Sequence, residues 1–275
     1  MTTPIVPRVA VDNPPLTQLP YGLFSAASVE AAAPGRWLLG VEYDTDGCTQ
    51  AGVIGGWCPE DPGDHTMTVP PGVTYPTADG FVVYAGVACK LPGMVEDAGT
   101  RAADRLTLGE QTAVERHVWT TQLAVPAAVL ATGSETAVGL VDAVAALERD
   151  LGEMFGAVGT LHVPRWLVPH LAAADQIVRD DRAGRLTTVL GTPIAAGAGY
   201  PGTSPSGTAP GAGAAWMYAT GPVVVRRGPV VTPATERTGA FDPSNNEVTV
   251  RAQRDYVVTT DCVLLAVQTT TGGTP

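Results

Sequence analysis

Lysine is almost missing from this sequence. Of its 16 basic residues only Lys90 is lysine. Charge of either sign is sparse, at 16% of residues, against roughly 25% in an ordinary soluble domain. The charge present is mostly acidic and leaves a net −11. That balance argues against tight nucleic-acid binding, which needs cations to neutralise phosphates. The nearest thing to a basic cluster, Arg226-Arg227, sits between Val225 and Gly228 and reads as a strand end or turn. No uncharged apolar run reaches the roughly 20 residues that cross a bilayer. Met1-Thr2-Thr3-Pro4 is not the start of a basic region followed by an apolar one, so no secretory signal is expected. The 32 glycines and 24 prolines show no Gly-X-Y period, which excludes a collagen helix. With 45% apolar residues over 275 positions, the chain is too apolar to be disordered and long enough for a sizeable core. A surface this poor in charge implies either a large interior or a surface covered by other subunits.

Catalytic signatures are equally scarce. There is no Gly-x-Ser-x-Gly elbow, no Gly-Lys-Ser/Thr phosphate loop and no His-x-x-x-His pair. Gly197-Ala198-Gly199-Tyr200-Pro201-Gly202 satisfies G-x-G-x-x-G. The segment after it, Thr203-Ser204-Pro205-Ser206, cannot supply the helix N-terminus that would hold a pyrophosphate. A flexible loop is the expectation. Glu110 and Glu115 are the best-placed pair of carboxylates, but five residues apart on a helix they point different ways and are expected on a solvated or interface face. His117 reads as a helix-surface or core residue and His162 as the end of a buried strand. His65 and His170 complete the four, with no metal-ligand spacing. Trp37, Trp57, Trp119, Trp166 and Trp216 are spread through the chain as packing anchors. Cys48, Cys58, Cys89 and Cys262 form no Cys-x-x-Cys pair and are expected as buried free thiols of a reducing compartment. A Cys48–Cys58 bond formed after release from a cell is the alternative, and a zinc site a remote third. No catalytic, cofactor-binding or metal-binding residue is assigned.

Hydropathy patterning orders the chain. Residues 1–35 carry six prolines and no helical period, an extended arm that cannot bury itself. Arg36–Tyr43 and Gln50–Trp57 read as a hairpin turning at Asp46-Gly47. Residues 59–80 read as a loop, and Phe81–Cys89 as a strand. Gly99–Gln122 is free of proline, with Ala103, Leu106, Ala113, Val114, Val118 and Trp119 at helical intervals. Gly109 in its middle is a possible bend point. A second helix is expected from Ser134 as N-cap, with Ala137, Leu140, Val141, Val144, Leu147, Leu151, Met154 and Phe155 as its stripe. A strand at Thr160–Val163 leads to a third helix opening at Pro164, in which Trp166, Leu167, Val168 and Leu171 pack. Asp180–Gly184 is a turn, Leu186–Ala196 a β-rich run, and Ala198–Gly213 a loop with nothing to pack. Ala215–Arg227, Glu247–Val258 and Cys262–Thr269 are strands before a frayed tail. The class is α+β.

This order of arm, hairpin, one long helix, α/β region and returning strands resembles the tailed-phage major capsid proteins of the Hong Kong 97 type. The resemblance implies an arm at 1–35 and an extended loop at 36–80. It implies a peripheral domain with a spine helix at 81–159, an axial domain at 160–244, and terminal strands at 245–275 that return to the peripheral domain. Leu161-His162-Val163-Pro164-Arg165-Trp166 and Thr188-Val189-Leu190-Gly191-Thr192-Pro193-Ile194 fall in the axial part. The function implied is a structural subunit, not an enzyme, that self-assembles into an icosahedral bacteriophage head around double-stranded DNA. Its partners would be itself, in hexamers and pentamers, with a portal, decoration proteins and a separate scaffolding protein; DNA contact would be weak and non-specific. It would need no cofactor and touch no membrane, and would sit in the virion after assembly in the host cytoplasm. The alternatives are another virion structural protein (a head–tail connector or tail tube), a bacterial nanocompartment shell, and, less favoured, a soluble enzyme. Some relatives in the family join subunits by a Lys–Asn isopeptide bond with a glutamate as base. Here only Lys90 with Asn13, Asn245 or Asn246 could supply it, and no such bond is expected.

Overall fold

A computed structural model of the chain describes residues 16–33, 35–45, 48, 51–53, 73–89, 95–233, 241, 242, 244 and 247–271. Two sheets share one long helix. The first sheet is built on β14 (Glu247–Thr260). Along one edge β14 pairs antiparallel with β4 (Phe81–Cys89), from Val248↔Cys89 to Tyr256↔Phe81. On the other edge it pairs with β12 (Val223–Arg227) and β13 (Phe241–Asp242), and β1 (Ser28–Ala31) adds to β12 in parallel. The second sheet runs β5 (Val129–Leu130), β15 (Leu264–Thr270), β11 (Ala214–Thr220), β7 (Thr160–Pro164), β10 (Pro193–Gly197), β9 (Arg185–Thr187) and β8 (Val178–Asp180). β6 (Val138–Gly139) also lies beside β15.

The long helix, α2 (Val95–Val118), continues into a five-residue π-turn at Trp119–Leu123. Its buried side is one i+4 row: Ala98, Ala102, Leu106, Glu110, Val114 and Val118 are all at most 1% exposed. The row lies on the inward residues of β4 and β14, among them Val83, Val87, Val250, Ala252 and Tyr256. Ala113 is exposed, off the stripe assigned to it from sequence. The helix starts four residues before Gly99, where Asp97 suits the positive end of the helix dipole. It runs unbroken through Gly109, so no bend arises there.

In the second sheet the residues of β11 alternate. Trp216 and Tyr218 join the core under α2, whereas Ala215, Met217 and Ala219 face the core under α3 (Leu140–Met154). That helix begins six residues after Ser134, because Val138 and Gly139 are drawn into parallel pairing with Thr269 and Thr270. Val141 and Met154 consequently lie outside its buried stripe. Pro164 ends β7 rather than opening a helix. A 3₁₀ turn at Arg165–Leu167 follows, then α4 (Val168–Ala173), and Trp166 is 47% exposed instead of packed. The run expected as one strand over 215–227 divides at Gly221-Pro222, sending β11 and β12 to different sheets.

Four further sequence expectations are corrected. Part of the segment read as a free arm belongs to the body: α1 (Leu23–Ala26) buries Leu23 completely, and β1 is a strand of the first sheet. Residues 1–15 lie outside the described residues. Asp46-Gly47, the expected hairpin turn, lies outside the described residues, and the first arm of that hairpin has a later partner. β2 (Val41–Glu42) pairs with β3 (Thr77–Ala78), and Thr45 bridges Thr74, so the returning strand comes after residue 72. Cys48 is not a buried thiol; it is exposed and disulfide-bonded to Cys262, with Cα atoms 5.7 Å apart across 214 residues of sequence. Cys58, of the alternative pairing, lies outside the described residues. Finally, the first half of Ala198–Gly213 is packed, with Gly199, Tyr200, Gly202, Ser204 and Pro205 buried, while 206–213 is mostly exposed, as a loop with nothing to pack would be.

Candidate functional site

Two places hold the distant parts of the chain together, and both involve residues that local pattern placed elsewhere. The first lies over the C-terminal half of α2. Glu115 is fully buried and accepts the backbone N–H of Leu23 at 3.0 Å and of Gly199 at 2.9 Å. One carboxylate thus joins α1, α2 and the segment after β10. Burial raises its pKa above 4.5, and the N–H groups of Gly199 and Leu23 and the more distant Arg165 charge oppose that rise. Gly199 must be glycine here, since a Cβ would come within 2.1 Å of the Thr112 carbonyl oxygen. The central glycine of the G-x-G-x-x-G match therefore permits close packing on a helix.

Trp119, the first residue of the π-turn, completes this joint. It is fully buried, donates its indole N–H to Thr203 Oγ1 at 2.9 Å, and meets Tyr218 edge-on with centroids 4.8 Å apart. Tyr218 donates to the Thr203 carbonyl at 2.9 Å. Tyr200 is 3% exposed and lies 3.0 Å from His162 Nδ1; Thr220 Oγ1 is 3.0 Å from the other ring nitrogen. Burial lowers the His162 pKa to about 3, keeping the ring neutral. His162 is thus a satisfied core histidine, as the sequence reading had it.

Glu110 forms a separate buried cluster. Arg254 donates to both of its oxygens at 2.9 and 2.8 Å, Tyr256 donates to it at 2.7 Å, and Arg227 lies 3.5 Å away. The cluster ties α2 to β14 and β12. Neither Glu110 nor Glu115 is on a solvated face, and the two do not converge. The signal was in the sequence: Glu110 occupies the i+4 row of Leu106, Val114 and Val118, and Glu115 stands four residues before Trp119. A carboxylate in an apolar row needs a buried partner.

The second place is the root of the β2–β3 excursion. Tyr43 donates to the Thr260 carbonyl at 3.0 Å, and Trp37 donates its backbone N–H to Asp255 at 3.2 Å. The Cys48–Cys262 bond adds a covalent tie to the turn between β14 and β15. Gly80 is required at this root because a Cβ would lie 2.0 Å from the Trp37 carbonyl oxygen. Asp79, His117 and Thr121 rim an open recess beside it. His117 is half-buried with its ring 3.9 Å from that of Phe81, and burial lowers its pKa. Among the described residues, no three His, Cys, Asp or Glu side chains are grouped to hold a metal ion, and no helix is long and apolar enough to cross a membrane. Lys90, Asn13, Asn245 and Asn246 lie outside the described residues.

These groups fix geometry. Buried carboxylates, a stacked aromatic joint and a pinned loop root hold two sheets, a helix and an excursion in one arrangement. No protein-family model and no curated protein matches the sequence. Solved structures do match, almost end to end. The capsid of Ralstonia phage GP4 is similar with a TM-score of 0.59 and 10% identity, covering 99% of this chain and 97% of that one. The capsid of an empty GTA particle is similar with a TM-score of 0.55 and 15% identity, covering 97% and 95%. The head structure of Helicobacter pylori bacteriophage KHP40 also has a TM-score of 0.55, at 8% identity, covering 98% and 95%. The chain has the α+β fold of the tailed-phage major capsid proteins.

Proposed function

We propose that this chain is the structural subunit of a tailed-bacteriophage head, assembling with copies of itself into an icosahedral shell around double-stranded DNA and carrying no catalytic activity. The observation that supports this most strongly is the end-to-end similarity to capsid structures, with 99% and 97% of the two chains covered in the Ralstonia phage case. The first sheet with α2 then serves as the peripheral domain, the second sheet with α3 as the axial domain, residues 36–80 as the extended loop and the residues before α1 as the arm. On this division β12, inside the span read as axial (160–244), goes to the peripheral part, and β15, inside the returning strands read as 245–275, goes to the axial part. Self-contact in hexamers and pentamers is the main interaction. Portal, scaffolding and decoration proteins are accessory partners. The net charge of −11 keeps contact with packaged DNA weak and non-specific. The subunit resides in the virion after assembly in the host cytoplasm. Electron microscopy of the purified protein tests this: closed icosahedral particles are expected, whereas a stable monomer or stacked tubes at all concentrations overturn it.

A further inference from the structure

Two exposed apolar features stand at opposite ends of β10. At its start, the β9–β10 hairpin tip presents Val189 and Leu190 at 57% and 75% exposure, beside Val178 at 47% on the neighbouring edge strand. This tip is braced. Gly191 donates its N–H to the Thr188 carbonyl at 3.0 Å, and Glu148 of α3 accepts the hydroxyls of Thr188 at 2.6 Å and Thr192 at 2.9 Å. Thr188 and Thr192 are buried, so the turn stands on a polar foundation while its apolar tip faces outward. At the other end of β10, Gly197, Ala198 and Tyr200 form a shallow, mostly apolar hollow with Trp166, which is 47% exposed, and Arg165.

We propose that the Val189-Leu190 tip of one subunit seats in the Trp166 hollow of the next copy of this chain. The inference rests on the shell-subunit reading above and names a contact surface for it. The occupant is a second copy because both halves of the contact are present on every chain, about 16 Å apart along one five-residue strand. Knob and hollow at opposite ends of a strand give a head-to-tail contact, which closes into a ring when its rotation closes. Charge agrees. Glu148 beneath the tip makes no ion pair among the described residues, and Arg165 at the hollow donates to the Pro20 carbonyl without a direct ion pair. Docking brings the two toward each other. A pre-braced turn also loses little freedom on binding, and an exposed Trp is a good anchor.

The test is the double variant Leu190→Cys/Ala198→Cys in assembled protein, oxidised and run on a non-reducing denaturing gel. The two positions lie too far apart on one chain to bond with each other. A ladder of covalent oligomers is expected, with none from either single variant. Leu190→Asp should lower the yield of oligomers at least tenfold while leaving the melting temperature unchanged. Shells that form without a ladder, or oligomer yields untouched by Leu190→Asp, overturn the docking and leave the shell reading standing. A ladder of discrete rings from protein that never closes into shells supports the docking and counts against the shell reading. If residues 1–15 of the same chain cover Trp166 instead, the double variant stays at monomer mass and the proposal fails.

Discussion

Glu115 accepts the backbone N–H of Gly199 at 2.9 Å, across 84 residues of sequence, from a position with no solvent exposure. With the Leu23 bond, this makes one side chain the acceptor for two other segments of the chain. Removing it orphans two N–H groups, at about 1–3 kcal/mol each. Glu115→Ala should therefore lower the urea midpoint clearly, and Glu115→Gln, which keeps one acceptor, should lower it less. An unchanged midpoint for Glu115→Ala would mean that relief of the buried charge cancels the lost bonds. The raised pKa sets a sign as well. The folded carboxyl holds its proton more tightly than the unfolded one, so its effect on stability worsens as pH rises from about 4.5 through the raised value, then levels off.

Trp119 joins α2 to the segment after β10. Trp119→Ala should cost about 3–5 kcal/mol, the range for deleting a fully buried aromatic. Trp119→Phe keeps most of the packing but gives up the bond to Thr203, at about 1 kcal/mol. Denaturant titration of both variants checks the order; equal losses would show that the aromatic packing Phe retains contributes nothing.

Gly109 sits exposed inside α2, and a Cβ added there meets no atom within 4 Å. Gly109→Ala should stabilise the protein by about 0.5–1 kcal/mol through helix propensity alone. A lower melting temperature would reveal a packing role for this face.

His162 gives the opposite pH sign to Glu115. Its folded pKa of about 3 lies below the 6.5 of a free imidazole. Between those values the unfolded chain takes up a proton that the folded one refuses. Stability from this site is complete above about 6.5 and falls as pH drops toward 3, by up to about 1.4 kcal/mol per pH unit. Stability measured from pH 4 to 7 should decline on acidification in the wild type, with a flatter profile in His162→Gln. Parallel profiles would exclude the histidine as the source.

Two gels examine covalent chemistry. Reduced, boiled particles should give a single band near 28 kDa, because amine attack on an amide needs a deprotonated lysine and a placed base, and Lys90 is the only lysine. A ladder that survives reductant would show a cross-link. Without reductant, the Cys48–Cys262 bond should make the chain run faster than its reduced form, since it closes a loop of 214 residues in the denatured state. Identical mobility would show that the bond is not formed.

The elements legible in the sequence were those whose own residues carry the pattern. β4 was read with its final limits, and β7, β14 and the bulk of α2 lie where alternation or the 3.6 period put them, because a buried face leaves its period in the local sequence. Their order was enough to point to a capsid-type fold. What the tertiary structure alone decided was every choice of distant partner. Val41–Glu42 pairs with Thr77–Ala78 rather than with a strand nearby, and Cys48 meets Cys262 rather than Cys58. Ala198–Gly213 looked unpackable because nothing near it in sequence could cover it. Trp119 and Glu115, about 80 residues earlier, cover its first half through Gly199, Tyr200 and Thr203, and the rest stays exposed. Local periodicity says which face of an element is buried, and the partner that buries it comes from hydrogen-bond satisfaction and close packing across the whole chain.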